Sequence, residues 1–518
     1  MYSFRFGFVV AALVALPLLA IDDPVRIEQG QISGIPGNDP AVRVYKGIPY
    51  ATPPVGELRW KAPKSAASWQ GVRKANQFSA VCYQNPYPAN SVYYNPPEPR
   101  SEDCLYLNVW TGAKSANEKR PVMVWIYGGA LTRGSGSLPL YDGEALARKG
   151  VVLVTFNYRL GIFGFYAHPE LTKESDRGSS GNYGILDQIA ALEWVQKNIA
   201  AFGGDPKRVT IFGESAGSWS VNYLVATPLA KGLFQRAIGE SGGDFAAVRK
   251  LSDAEAAGAK VAAALHANSI QELRAKSADE LVKVPGGAGP NVDGWMLPQD
   301  VYTIFASGKQ NDVPVLIGSN ADEARSLAPW PANGTAAVFR DQSRKRFGDL
   351  AEEFFKVYPA STDQEAETSH YASFRDITFG WEMRTWARMQ EKTGKSKAYL
   401  YYFTRIPPGP DSARYRAYHA SEIAYVFGNL TPPSPWEDTD RKLSAAISSY
   451  WVNFATSGDP NGKKLVKWPA YQAKTDSALE LGDQIQVRTA INKPALDFLD
   501  KYFERQRGGG QTGASNTR

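Results

Sequence analysis

Several things are scarce in this chain, and each scarcity closes off a class of protein. Only two cysteines and four histidines occur in 518 residues. Two cysteines are too few for a disulfide-stapled scaffold or a four-cysteine zinc site. The His, Cys, Asp and Glu residues show no ligand spacing of the His-Glu-x-x-His or paired Cys-x-x-Cys kind, so no metal is expected. No phosphate or dinucleotide loop occurs, so no cofactor is expected. Net charge is only +6, without a dense Lys/Arg run interleaved with aromatics. A nucleic-acid partner would need a concentrated basic stripe. The apolar run at residues 7–20 is shorter than the ~20 residues that span a bilayer. There is no Gly/Ser linker and no repeat of fixed period.

What is present is a globular composition, 43% apolar and 21% charged, enough for a large core. Arg5 precedes the apolar run, the small Ala20 ends it, and Asp22 and Asp23 follow. That order predicts a signal peptide over residues 1–20, hence a secreted protein with no stable membrane anchor. In an exported chain the pair Cys82 and Cys104 is expected to form one disulfide. It would close a loop of about 23 residues, worth about 3 kcal/mol. Short apolar runs at residues 122–126, 151–156, 209–212, 313–317 and 398–403 read as buried parallel strands. Helical patterns lie between them, and Ile185, Ile189, Leu192, Val195 and Ile199 share one face. The alternation predicts an α/β fold, a large, mostly parallel central sheet with helices on both faces. Residues 25–32 and 42–45 read as short antiparallel strands at the sheet's entry, and 251–310 and 325–395 as insertions, the first mostly helical. One domain is expected over residues 21–504. Residues 505–518, with three successive glycines from Gly508 and no apolar face, read as a disordered tail.

The pattern Gly-x-Ser-x-Gly occurs twice, at Gly213-Glu214-Ser215-Ala216-Gly217 and at Gly239-Glu240-Ser241-Gly242-Gly243. The first follows the apolar strand Val209-Thr210-Ile211-Phe212 and precedes an uninterrupted helical stretch. Strand, tight turn and helix are the context of a nucleophile elbow. The second follows a shorter strand and opens into a glycine loop. Ser215 is therefore the candidate nucleophile.

Longer stretches carry a resemblance. The run from Phe202-Gly203-Gly204-Asp205-Pro206 through Gly217 resembles the serine-site signature of type-B carboxylesterases and lipases, the family of the cholinesterases. Glu102-Asp103-Cys104-Leu105-Tyr106-Leu107-Asn108-Val109-Trp110 resembles that family's second signature. Lys46-Gly47-Ile48-Pro49-Tyr50-Ala51 and Pro53-Pro54-Val55-Gly56 resemble its N-terminal segment. The similarity spans residues 25 to 500 or thereabouts. It implies an α/β-hydrolase fold and hydrolysis of small-molecule carboxylic esters through an acyl-enzyme.

A serine needs a base, and in α/β-hydrolases the order is Ser, acid, His. That excludes His168. His419, in Tyr418-His419-Ala420-Ser421-Glu422, resembles the family's histidine loop, whereas His266 and His370 lie in unremarkable helical and polar stretches. Gly318-Ser319-Asn320-Ala321-Asp322-Glu323 resembles the acid loop, which by that match makes Glu323 the acid; Asp322 is the adjacent alternative. After the strand at 122–126, Tyr127-Gly128-Gly129-Ala130-Leu131 supplies backbone donors for an oxyanion: by resemblance Gly129 and Ala130, with Ala216 as the third. Family members often carry glycine where Ala130 stands, and its methyl group crowds bulky alcohols. Glu214, Ser241 and Glu422 occupy supporting positions in the family.

The resemblance also implies that residues 83–100, within the disulfide loop, overhang the route to the serine. Trp295, Trp330, Trp381 and Tyr425 are candidates for lining the cavity, or for ordinary core packing. The triad does not fix the leaving group, so amides, thioesters and carbonates are alternative substrates. A non-catalytic adhesion relative would usually lack the serine or histidine kept here. Two sequons, at Asn333 and Asn429, matter only if the host glycosylates.

Overall fold

The computed structural model describes residues 21, 23–246, 248–284, 289–432 and 434–508. The expected signal peptide and the last ten residues lie outside them. One sheet organises the molecule. Its strands are β1 (Ile35–Pro36), β2 (Arg43–Pro49), β3 (Tyr106–Thr111), β4 (Arg120–Ile126), β5 (Val152–Phe156), β6 (Gly204–Glu214), β7 (Arg236–Glu240), β8 (Val315–Asn320), β9 (Ala398–Phe403), β10 (Ser477–Leu481) and β11 (Ile485–Thr489). In space they follow the order β11-β10-β9-β8-β7-β6-β4-β5-β3-β2-β1. From β5 to β10 all neighbours are parallel, and antiparallel pairs close both ends. β5 and β8 are buried at every position. A strand buried at successive residues has both faces covered, which is why β5 and the first half of β8 read as mostly apolar runs.

The helices that matter to the site are α1 (Tyr183–Asn198), α2 (Ala216–Ala226), α3 (Trp381–Thr393), α4 (Ile423–Phe427), α5 (Asp438–Ser457) and α6 (Lys493–Gly508). α2 packs on β6 and β7, α5 on β4 and β6, and α3 on β8 and β9. A Cβ added to Gly217 would stand 1.9 Å from the Ile126 carbonyl, so only glycine lets α2 lie this close to β4.

Strand order fixes where a site can form. The chain passes from β4 to β5 on one side, then returns to lay β6 on the other side of β4. Adjacent connections that leave in opposite directions open a crevice at the carboxyl ends of the two strands. Ile126 ends β4 and Glu214 ends β6, so Gly128–Ala130 and Ser215 both emerge there.

Three expectations need correction. Residues 25–32 do not enter the central sheet. Val25–Ile27 and Gly30–Ser33 pair with each other and with Val72–Lys74 in a separate three-stranded sheet. The apolar run at 313–317 forms a strand only from Val315, because Pro314 has no N–H for the ladder. It continues through the polar Gly318-Ser319-Asn320, held in register by Tyr401, Tyr402 and Phe403 of β9. Residues 505–508 are not tail but the last turn of α6. Arg505 pairs with Asp349 at 2.6 Å and Arg507 lies 3.9 Å over the Tyr302 ring. These partners are remote in sequence. Cys82 and Cys104 are bonded, with Cα atoms 5.0 Å apart. Asn429 donates both to Leu140 O and to Asp142 O, whereas Asn333 is exposed. No helix among the described residues is long and apolar enough to cross a membrane.

Candidate active site

β6 delivers Ser215 on a sharp turn into α2, with φ +57° and ψ −123°. Positive φ is costly for a residue with a Cβ, and such strain collects at functional sites. The Ser215 N–H donates to Glu240 O at 2.8 Å. Gly128 crosses directly against the turn: a Cβ there would lie 2.9 Å from Ser215 Cβ and 2.6 Å from Glu214 O. Beyond it Gly129, Ala130 and Leu131 all have positive φ, at 100°, 55° and 57°. Among the described residues, the N–H groups of Gly129 and Ala130 donate to no protein acceptor. Ala216 begins α2, where N–H groups lack an intrahelical partner.

The second Gly-Glu-Ser copy lies beside the first. β7 runs parallel to β6 with Gly239 opposite Gly213 and Glu240 opposite Glu214. Ser241 also has positive φ, at 52°, but it is fully buried. Its hydroxyl donates to Glu323 Oε1 at 2.7 Å. The same carboxylate oxygen accepts the Asn320 N–H at 2.7 Å, and Oε2 lies 2.6 Å from His419 Nδ1. Asp322, the neighbouring acid, faces outward to Arg416 and Arg325 instead. On the far side of the imidazole, Nε2 is 3.1 Å from Glu214 Oε1. That oxygen has no hydrogen-bond partner, so the contact is one of distance and not of aim. Glu214 immediately precedes Ser215, which places Nε2 at the elbow.

The sequence pattern of the Carboxylesterase family matches residues 22–499. The chain belongs to this family. It is 38% identical to the fumonisin B1 esterase of Sphingopyxis macrogoltabida over 91% of this chain and 89% of that protein. It is 35% identical to the para-nitrobenzyl esterase of Bacillus subtilis strain 168, over 92% and 98%. Among solved structures, a thermophilic PNB esterase superposes with a TM-score of 0.80 at 34% identity, covering 92% of this chain and 99% of the other. The fold is thus that of the α/β-hydrolases, and the reaction is hydrolysis of carboxylic esters.

In this carboxylesterase the site is crowded with buried acid. Glu214, Glu240, Glu323 and Glu422 are all almost wholly removed from solvent. Burial, and then the Glu422 and Glu323 charges, push the Glu214 carboxyl well above its ordinary range. Burial likewise raises Glu240, with Glu422 again the next cause. Glu422 is pushed up to about 7 by burial and then by Glu323. Each shift favours the neutral carboxyl, because adjacent buried charges of one sign cannot all persist at low dielectric. Glu422 accepts from Asn320 Nδ2 at 2.5 Å, and that same amide donates to Tyr418 O at 2.9 Å. Glu422 thereby holds the acid turn against the histidine turn. Glu240 accepts the Trp451 indole N–H at 2.8 Å.

The other histidines of the carboxylesterase stand apart from these acids. His168 caps a helix by accepting the Glu170 N–H, His266 is exposed just past the helix Leu251–Ala264, and His370 Nε2 sits 2.8 Å from Ala328 O. The aromatic candidates do not gather at the site. Trp381 is buried under α6, stacked on Phe503 at 3.9 Å. Tyr425 is core, its hydroxyl on Asp440. Trp330 packs with Phe339 and His370, and Trp295 lies beneath Arg177. The rings beside His419 are Phe379, stacked at 4.8 Å and 29°, and Tyr93, edge-on at 6.5 Å. Phe379 lies in a π-helical turn, Asp376–Gly380, that no periodicity in the sequence marks. Such turns are rare and recur at functional sites.

Proposed function

We propose that this carboxylesterase is an exported serine esterase whose triad is Ser215, Glu323 and His419. The observation that carries the reading is the imidazole of His419, bridging between Glu323 at Nδ1 and the β6–α2 elbow at Nε2. With Nδ1–H given to Glu323, the Nε2 lone pair is free to take a proton. Ser215 Oγ attacks the ester carbonyl carbon while His419 Nε2 removes its proton. The carbonyl oxygen becomes an oxyanion held by the N–H groups of Gly129, Ala130 and Ala216. Collapse breaks the bond to the alkoxy oxygen, His419 returns the proton to it, and the alcohol leaves. Water then attacks the acyl-serine by the same route and releases the acid. Glu323 stabilises the imidazolium, helped by the hydroxyl of Ser241, which donates to its Oε1.

Neutral to moderately apolar esters suit the site. Labelling with an organophosphate and mapping the modified peptide should find one adduct per chain, on Ser215. Ser215→Ala should lower turnover of a short p-nitrophenyl ester by about 10⁴-fold or more with the fold intact. An adduct elsewhere, or full activity in Ser215→Ala, refutes the assignment. Export is supported by the order of charges around residues 7–20 and by the disulfide. N-terminal sequencing of protein recovered outside the cytoplasm should begin near Ile21. A start at Met1 refutes cleavage.

A further inference from the structure

The loop closed by Cys82 and Cys104 bonds to the segment that follows the proposed oxyanion donors Gly129 and Ala130, to the main chain of His419 and to the helix that follows Glu323. Toward the donors, Gln84 Nε2 donates to Gly134 O at 2.8 Å, and the Gly134 N–H donates back to Gln84 Oε1 at 2.7 Å. Glu98 accepts from the hydroxyls of Ser135 and Ser137, at 3.0 and 2.7 Å. Toward the base, one side chain reaches across. The phenol oxygen of Tyr93 lies 3.1 Å from His419 O and 2.6 Å from Ser326 Oγ. Ser326 belongs to the short helix Ala324–Leu327, which begins directly after Glu323.

Proton counting orients this chain of bonds. A carbonyl only accepts, and a phenol has one proton, so Tyr93 donates to His419 O. Ser326 must then donate to Tyr93. Burial holds the Tyr93 phenol well above its ordinary range, so the donor keeps its proton wherever the enzyme works. The receiving carbonyl needs such a partner. His419 lies outside any helix or strand, the next residue, Ala420, has φ +71°, and among the described residues no backbone N–H reaches the His419 carbonyl.

We propose that Tyr93 is a positioning residue for His419. Its hydroxyl fixes the main chain of the base and, through Ser326, ties it to the helix that follows the acid. The disulfide loop thus takes part in aligning the imidazole. A misplacement of about 1 Å at a reacting group costs up to ~10²-fold in rate, so one hydrogen bond at this point has leverage. The inference rests on the triad reading given above.

The test is Tyr93→Phe, which keeps the ring and deletes only the hydroxyl, measured on the full-length, disulfide-bonded protein. Active sites are first counted by organophosphate titration, so every rate refers to titrated serine. The expected result is a fall of about five- to tenfold in kcat per titrated site, with KM little changed. The second-order rate of organophosphate inactivation should fall in parallel, because both steps need the serine proton removed. A purely structural role would lower the melting temperature or the titratable fraction and leave kcat per site alone. That outcome, or a wild-type kcat per site, overturns the proposal. Ser326→Ala is the second variant, should Tyr93→Phe fail to fold. It is expected to lower kcat per site by about two- to fivefold, and an unchanged kcat per site would overturn the proposal too. In the double variant the losses should not add, since both act through one bond. If wild type itself gives no adduct on Ser215, the triad reading fails; if it titrates normally and both variants keep full kcat, only the role of Tyr93 fails.

Discussion

Removing the hydroxyl of Ser241 separates the two serine motifs by chemistry. Ser241→Ala deletes one of three hydrogen bonds on a fully buried carboxylate: Glu323 keeps the Asn320 N–H at 2.7 Å and His419 Nδ1 at 2.6 Å. A hydrogen bond to a charged group is worth about 1.5–3 kcal/mol. No solvent reaches the site to replace it, Ser241 being 0% exposed. At about 1.4 kcal/mol per tenfold, the ceiling on lost rate is therefore about 10- to 10²-fold. Part of the loss is common to the free enzyme and the transition state, so about tenfold in kcat/KM is the expected value. Ser215→Ala should cost about 10⁴-fold or more. Denaturant unfolding of Ser241→Ala should show a loss of about 1.5–3 kcal/mol, the same bond read as stability. Ser241→Gly refines the measurement. It lacks the hydroxyl but suits φ +52°, so it should recover about 1 kcal/mol of stability without recovering rate. The assay is steady-state hydrolysis of p-nitrophenyl butyrate beside guanidinium melts of the three variants. Wild-type rate and stability in Ser241→Ala would show that its hydroxyl does not support Glu323. A loss as deep as that of Ser215→Ala would mean the nucleophile is misassigned.

Glu422 should make stability depend on pH. Its carboxyl is raised from 4.5 to about 7 in the folded protein, so the fold binds this proton more tightly than the unfolded chain does. The stabilisation is fully present below about pH 4.5 and is lost as pH rises through about 7, a change of about 3 kcal/mol. Glu422→Gln is neutral at every pH and still accepts from Asn320, so denaturant melts at pH 5 and pH 8 should differ less in the variant by about that amount; parallel curves for the two proteins refute the argument. Free-thiol counting on the unreduced, unfolded protein should return none. Replacing both cysteines by serine should cost about 3 kcal/mol by loop closure, and an unchanged melting temperature would count against that value.

Local chemistry made much of this protein legible. The apolar runs located the central parallel strands, since a strand covered on both faces has nothing polar to show. The glycines around Ser215 marked the elbow, because Gly213 and Gly217 lie where no side chain fits. Its motif singled out His419 among four histidines as the candidate base, and the match to the acid loop singled out Glu323 over Asp322 as the candidate acid; the two side chains lie 2.6 Å apart. The separate sheet at residues 25–33 and the last turn of α6 were not legible, because both depend on remote partners. The same holds for the tryptophans: a large ring is equally at home in a core or a cavity wall, and only packing tells which.

By itself, then, the sequence determined the family, the strand-turn-helix that strains Ser215, and the candidates for acid, base and oxyanion amides. Each is written in contiguous residues, where steric and hydrogen-bonding rules act over a few bonds. The tertiary structure decided the rest: that Ser241 serves Glu323, that four glutamates share one buried space, and that Tyr93 and Phe379 flank the imidazole. Those contacts join segments from tens to hundreds of residues apart. Their energies depend on burial and separation, and both exist only once the sheet has closed.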